Sequence, residues 1–213
     1  MALVSGTNCG FVTEAPTADP DGSGTSTADN VIQAFEYISP EGAGKITEIG
    51  VYLSPDTEAS TIELGVYDKN PAKNLPLNLL GKNNIAKGTT AGWKSVAVDI
   101  DISPETSYWL GVSMENTATA TLIDKDSGTC RRAYGGDGTT LPDPEWTDTS
   151  SASIGYIYSI YAVYEAAPAG TNMKINIDDT WKDVDSMKIN IGDTWKDVAE
   201  IKQNIGDVWK TVF

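Results

Sequence analysis

The chain has 213 residues and carries 15 Lys and Arg against 30 Asp and Glu, with no histidine, two cysteines and a formal net charge of −15. The lack of histidine excludes Ser-His-Asp and Cys-His catalytic groups and imidazole metal sites. The acidic excess argues against nucleic acid and anionic membranes as partners.

The N-terminus shows no targeting segment. Met1-Ala-Leu-Val-Ser5 lacks the basic start and the long apolar stretch of a signal peptide, and no apolar run approaches the roughly 20 residues that a membrane-spanning helix needs. We therefore expect a soluble chain without a secretion signal.

Short segments of alternating apolar and polar residues follow, separated by turn-rich clusters such as Ser54-Pro-Asp56 and Gly135-Gly-Asp-Gly138. This pattern predicts an all-β, jelly-roll-like antiparallel β-sandwich of eight to ten strands over residues 1–165. The predicted strands cover 31–39, 45–54, 61–69, 93–100, 107–114, 119–123 and 153–165. Because the last of these is apolar on both faces, we expect it to lie centrally in a sheet.

Cys9 and Cys130 leave two interpretations open. They form one long-range disulfide if the compartment is oxidising, or they are two buried thiols, as a reducing cytosol would favour.

Two acidic loops have the alternating carboxylates and glycine of a calcium loop. These are Asp124-Lys-Asp126-Ser-Gly128 and the weaker Asp19-Pro-Asp21-Gly. Both lack the bidentate Glu of a complete site, so we interpret them as acidic turns and predict neither a metal nor a cofactor.

The residues best suited to contact a ligand are Arg131, Arg132, Tyr134 and Trp146. Aromatic rings on a loop can stack on sugar rings, and guanidinium groups add planar hydrogen bonding. In the alternative interpretation, Trp146 pins a long loop to the sandwich and the arginines pair with neighbouring acids. Paired carboxylates are the remaining means of acid-base catalysis, but no pair stands out, so we predict no enzyme.

Residues 166–172 are small and turn-rich, which predicts a linker. Three repeats of fourteen residues follow over 173–213, and their Ile-Asn-Ile alternation and Gly-Asp pairs favour three β-hairpins over helices. The register stays open, because a two-residue and a three-residue turn put Trp195 on opposite faces. This segment is too small to form a stable core alone. We predict an apolar seam that joins it to its neighbours, made of Trp181, Trp195, Trp209, Ile177, Ile191 and Ile205.

Two groups of residues resemble known proteins. The runs Lys45-Ile-Thr-Glu-Ile-Gly-Val-Tyr52 and Ile62-Glu-Leu-Gly-Val-Tyr-Asp68, with Gly92-Trp-Lys94 and Tyr108-Trp-Leu-Gly111, resemble a β-sandwich domain of phage-derived sequences and of carbohydrate-binding-like modules. The Ile-Gly-Asp-Thr-Trp-Lys-Asp-Val repeats resemble Trp-Lys repeats appended to tailed-phage structural proteins. The resemblance implies a virion component such as a decoration, fibre or tail-tip protein.

From the residues and the resemblance together we expect a non-enzymatic phage structural protein, assembled in the host cytoplasm and then part of the virion. Its partners would be other virion proteins and further copies of itself, with a trimer preferred by analogy with phage fibres. The alternative is a carbohydrate-binding or receptor-binding module that recognises a cell-surface glycan.

Overall fold

The computed structural model describes residues 1–22, 24–115, 120–146 and 151–166, together with the strands of the C-terminal repeats. Every helix or strand assigned to these residues is a strand, so the all-β prediction is confirmed. The chain divides into two compact units, Met1–Ala166 and Ala167–Phe213. We call the first the N-terminal unit and the strands between residues 174 and 211 the hairpin region.

The described residues of the N-terminal unit form eleven strands, all antiparallel to their partners except for one parallel pair, β1 with β11. The strands are β1 (Gly10–Val12), β2 (Gly24–Thr27), β3 (Val31–Ile38), β4 (Ala43–Leu53), β5 (Thr61–Asn70), β6 (Leu75–Ala86), β7 (Gly92–Asp101), β8 (Ser107–Met114), β9 (Leu122–Asp137), β10 (Ser151–Tyr158) and β11 (Ile160–Ala166).

The hydrogen-bonded strands form two arms. The first arm runs β1-β11-β4-β7, and the second runs β9-β3-β8-β5-β6 with β2 and β10 also paired to β9. Between the two arms the described register has a single residue pair, Leu53 with Ile123. One buried apolar cluster takes residues from both arms, among them Ile49 and Val51 of β4 and Phe35 and Leu110 of the second arm. This arrangement is compatible with a β-sandwich.

A second, smaller core covers the other face of the second arm. Ile32, Ala34, Tyr67, Trp109, Leu141 and Trp146 belong to it. The segment 138–146 crosses this face, because Tyr67 Oη donates to Pro142 O at 2.7 Å and Trp146 N donates to Leu77 O at 2.9 Å. β3 is therefore apolar on both faces, with Phe35 in the first core and Ala34 in the second.

Several sequence predictions need correction. The strand expected over 119–123 is the start of the much longer β9, which runs from Leu122 to Asp137. The cluster Gly135–Gly138 was expected to be a turn, but Gly135, Gly136 and Asp137 belong to β9. A Cβ at Gly135 would meet Ile32 at 2.8 Å and Trp146 at 3.0 Å, so this glycine lets side chains pack over the strand instead of turning it. The predicted single strand 153–165 is two strands separated by one residue, Ser159.

Ser159 is the point where the chain passes from the second arm to the first. Its N–H donates to Asp124 O at 3.0 Å in the second arm, and its carbonyl accepts from Tyr52 N at 2.8 Å in the first. β11 lies between β1 and β4, as expected of a central strand, whereas β10 pairs with β9 alone among the described strands. The apolar run thus belongs to two different strands because the chain changes arms within it.

The hairpin region contains one antiparallel hairpin per repeat, which confirms the hairpin prediction. Its strands are β12 (Lys174–Ile177), β13 (Thr180–Asp183), β14 (Lys188–Ile191), β15 (Thr194–Asp197), β16 (Lys202–Ile205) and β17 (Val208–Thr211). In the second hairpin Asn190 is opposite Trp195 and Ile191 is opposite Thr194. The other two hairpins have the same register, and two residues separate the strands in each. The predicted linker 166–172 lies outside the described residues from residue 167 onward.

Candidate functional site

A carboxylate flanked by two cations lies on the face of the second arm that faces away from the first core. Glu36 of β3 is cross-strand partner to Arg131 of β9 and to Trp109 of β8. Glu36 Oε1 lies 2.7 Å from Lys69 Nζ, and its Oε2 lies 3.5 Å from Arg131 Nε. The Glu36 side chain is only 13% exposed, so this pairing compensates much of the cost of its burial.

A groove of about 360 Å³ surrounds this charged group. It is lined by Glu36, Ile38, Lys69, Ser107, Thr129, Cys130, Arg131 and Ser153. A second hollow, of about 550 Å³, shares Lys69 and Ser107 with the groove and is lined further by Asp68, Pro71, Asn74, Glu105, Thr106 and Tyr108. The two hollows are therefore adjacent on the surface.

The groove can bind polar molecules by several kinds of hydrogen bond. Arg131 and Lys69 are donors, Glu36 is an acceptor, and the hydroxyls of Ser107 and Ser153 can do both. Ile38 is 67% exposed beside them and offers an apolar surface. Donors, acceptors and a small apolar patch therefore lie at one place in the groove.

The structure does not bring the four predicted ligand residues together on one surface. Arg131 lines the groove, whereas Arg132 and Tyr134 line a separate hollow of about 160 Å³ with Ser151 and Ala152. Tyr134 is 38% exposed and donates from its hydroxyl to Asp137 Oδ1 at 2.8 Å.

Trp146 is buried, at 6% exposure, in the second core. Its ring packs edge-on against Tyr67 with the centroids 5.2 Å apart. This placement fits the alternative interpretation, in which Trp146 pins a long loop to the sheet. The indole is a packing group here and is not presented for stacking on a ligand.

The prediction of two acidic turns is only partly right. Residues 19–22 lie in a loop, but Asp124, Asp126 and Gly128 belong to β9, so the second acidic segment is part of a strand. The two acidic segments lie next to each other. Gly22 N donates to Asp124 Oδ2 at 3.4 Å, and Leu3 N donates to Asp126 Oδ2 at 2.7 Å. Burial raises the pKa of Asp124 above its ordinary value, the Gly22 hydrogen bond offsets part of this, and nearby Asp19 adds to it. No group of three or more His, Cys, Asp or Glu side chains that could hold a metal ion occurs in the part of the chain that the structure describes.

Cys9 and Cys130 are both buried and free. Burial is the largest cause that raises the pKa of each thiol to about 12. At neutral pH both are therefore protonated and weakly reactive, as expected of buried thiols.

For the predicted seam the structure describes the backbone register of the strands. The three tryptophans lie opposite Asn176, Asn190 and Asn204, and the three isoleucines lie opposite Thr180, Thr194 and Val208. The side chains of Trp181, Trp195, Trp209, Ile177, Ile191 and Ile205 lie outside the described residues, so the seam stays a prediction.

Sequence reasoning identified Arg131 but not Glu36 or Lys69. The three residues come from β9, β3 and β5, which are far apart along the chain, so no local motif marks them. A signal did exist in Glu36, since a charged residue within the apolar strand Val31–Ile38 requires a partner.

Comparison with protein-family models, with curated proteins and with solved structures finds no match for this chain. A search of the described residues for a helix that is long and apolar enough to cross a membrane finds none.

Proposed function

We propose that the protein is a non-enzymatic structural protein of a phage virion, in which the N-terminal unit is displayed and the hairpin region joins copies of the chain or anchors them to other virion proteins. The observation that supports this most is the division of the repeats into three separate two-stranded sheets. An isolated two-stranded hairpin is marginally stable in water, so repeated hairpins of this kind need a further surface to pack against.

The tryptophans are the residues best suited to make that contact. Trp181, Trp195 and Trp209 occupy the same register position in their hairpins, each opposite an asparagine. A tryptophan can bury on the order of 150 to 250 Å². At about 25 cal/mol per Å² this is about 4 to 6 kcal/mol before side-chain entropy is subtracted. Equivalent positions in successive hairpins would repeat the same contact, as a symmetric assembly requires.

Mass in solution tests the assembly. We expect the full chain to be an oligomer, preferably a trimer, in light scattering after size exclusion, and Trp195→Ala to lower the oligomer fraction. Lys196→Ala, at the next residue of the same strand, is the matched control and should leave the mass unchanged. A monomer mass for the full chain at micromolar concentration would contradict the joining of copies, and anchoring to other virion proteins would be the only role left to the hairpin region.

The virion location needs its own experiment. The resemblance of the repeats to those of tailed-phage structural proteins supports it. We expect the chain to co-sediment with capsids or tails when it is produced together with them. If the chain forms oligomers but stays in the supernatant, oligomer formation would be supported and the virion location would be refuted.

A second candidate function is recognition of a cell-surface glycan by the groove around Glu36. The observation in its favour is the pairing of this carboxylate with Lys69 and Arg131 beside serine hydroxyls. In a glycan array we expect Arg131→Ala to abolish binding and Arg132→Ala to retain it, with thermal unfolding recorded for both. Loss in Arg132→Ala alone would assign binding to the smaller hollow, and the absence of any bound glycan would refute this candidate.

A further inference from the structure

A buried lysine and a buried aspartate face each other at the opposite end of β5 from the groove. Asp56 lies in the loop before β5 and Lys87 directly follows β6. Lys87 Nζ is 2.9 Å from Asp56 Oδ2, and the two side chains are 1% and 0% exposed. Removing two charges from water is costly, and an ion pair repays that cost only in part.

A hydroxyl connects the two groups. Lys87 Nζ donates to Thr121 Oγ1 at 2.9 Å, and Thr121 Oγ1 donates to Asp56 Oδ2 at 2.5 Å. Thr121 is itself fully buried. The three atoms form a continuous path along which a proton can pass from the ammonium group to the carboxylate.

The second carboxylate oxygen is also held. Glu58 N donates to Asp56 Oδ1 at 3.2 Å. This backbone donor fixes the orientation of the carboxyl group and would stabilise negative charge that develops on Oδ1.

The geometry points to a covalent amide bond between the side chains of Lys87 and Asp56. Thr121 relays one proton from the ammonium group to Asp56 Oδ2, which leaves a neutral amine and a neutral carboxylic acid. Lys87 Nζ then attacks Asp56 Cγ, the Nζ–Cγ bond forms and the Cγ–Oδ2 bond breaks. Oδ2 leaves as one water molecule that takes a second proton from Nζ. No oxidant, reductant or cofactor takes part.

Burial and proximity supply the driving conditions. Both side chains are almost completely buried, which is costly for charged groups, and the 2.9 Å contact holds the nucleophile beside the carboxyl group. Lys45 and Asp99 have the same residue types at 2.5 Å, but their side chains are 37% and 79% exposed. That pair is exposed to solvent and provides a matched internal control.

Mass spectrometry of the full chain tests the bond. We expect the denatured protein to weigh less than its sequence by one water molecule. Tryptic digestion should give a branched peptide in which the fragments 46–69 and 83–94 are joined and Lys87 is not cleaved, whereas cleavage after Lys45 is normal. A chain at its full sequence mass overturns the proposal. A chain lighter by one water without the branched peptide overturns it as well.

Substitutions test the amide bond and the proton relay through Thr121 independently. Lys87→Arg keeps the positive charge and should have its full sequence mass. Thr121→Val should form the bond about 100-fold more slowly than wild type, and Thr121→Ser, which retains the hydroxyl, should restore the rate. If folded Thr121→Val forms the amide bond at the wild-type rate, proton relay through Thr121 is refuted. Whether the amide bond exists at all is decided by the mass of the unsubstituted chain.

Discussion

The N-terminal unit and the hairpin region are built from strands with similar alternation, yet their strands pair over very different distances along the chain. β1 pairs with β11, Gly10 opposite Tyr161, whereas Ile191 pairs with Thr194 across two residues. The strands of the N-terminal unit differ in sequence, so strands such as β1 and β11 can select a distant partner, while β5 and β6 pair locally. In three near-identical repeats, a strand could pair equally well with strands of either other repeat. Pairing within one repeat, as a hairpin, avoids this ambiguity.

Removal of the hairpin region should have the largest effect, and it tests whether the two regions fold independently. We expect the chain truncated after Ala167 to be a monomer that retains one cooperative unfolding transition within a few degrees of the full chain, because residues of the N-terminal unit build both described apolar cores. Light scattering and thermal unfolding measure this. Aggregation of the truncated chain, with a full chain that is a monomer, would show that the repeats complete the first core.

Trp146→Ala should strongly destabilise the N-terminal unit. Trp146 is buried against Tyr67, and truncation of a buried tryptophan costs about 3 to 5 kcal/mol. The free energy of unfolding from urea titration measures the effect. Trp195→Ala in the hairpin region is the control, and it should leave this transition nearly unchanged. Equal losses in the two variants would mean that the regions unfold as one.

Gly50→Ala should destabilise the N-terminal unit by about 1 to 3 kcal/mol. A Cβ at Gly50 would lie 2.4 Å from the ring of Tyr161, which crosses the strand there and packs edge-on against Trp93. Gly155→Ala is the control, since a Cβ at that position meets nothing within 4 Å. Calorimetry should separate the two, and a neutral Gly50→Ala would show that the Tyr161 ring is free to move.

The smallest expected effect is a gain in stability from Asp124→Asn. Because burial raises the pKa of Asp124, the folded state holds a proton there that the unfolded state has lost, and the stability contributed by this group falls as pH rises through that interval. Asn removes the charge, so the variant should melt slightly higher at pH 7. The difference should vanish below the ordinary Asp pKa of about 3.9. A lower melting temperature at pH 7 would contradict the prediction.

Local alternation was enough to predict some strands and not others. β5 and β8 were both predicted and lie inside the second arm, although β8 is buried along nearly its whole length and does not alternate. β6 was missed because its sequence contains Pro76, Gly81 and two adjacent asparagines, which read as a loop. As the last strand of the second arm it tolerates such residues, since one side has no partner strand in the described sheet order.

The candidate site could be predicted only in part for a related reason. Arg131 was identified from its loop-like surroundings, but its partner Glu36 is 95 residues away in sequence and adjacent only through the register of β3 with β9. Trp146 was predicted to contact a ligand but is buried, which is the opposite error to missing Glu36. Its turn-rich neighbours suggested exposure, whereas the second core that buries it depends on Tyr67 and Trp109 from two other strands.

The parallel pairing of β1 with β11 sets the order in which the N-terminal unit can be completed during synthesis. Phe11 and Val12 leave the ribosome early, but their partners Ala162 and Val163 are the last part of this unit to be made. Non-local pairings of this kind form slowly, because a long loop must close first. The first core therefore keeps the edge of β1 unpaired until β11 has been synthesised, and this exposed edge is open to wrong pairing during that time.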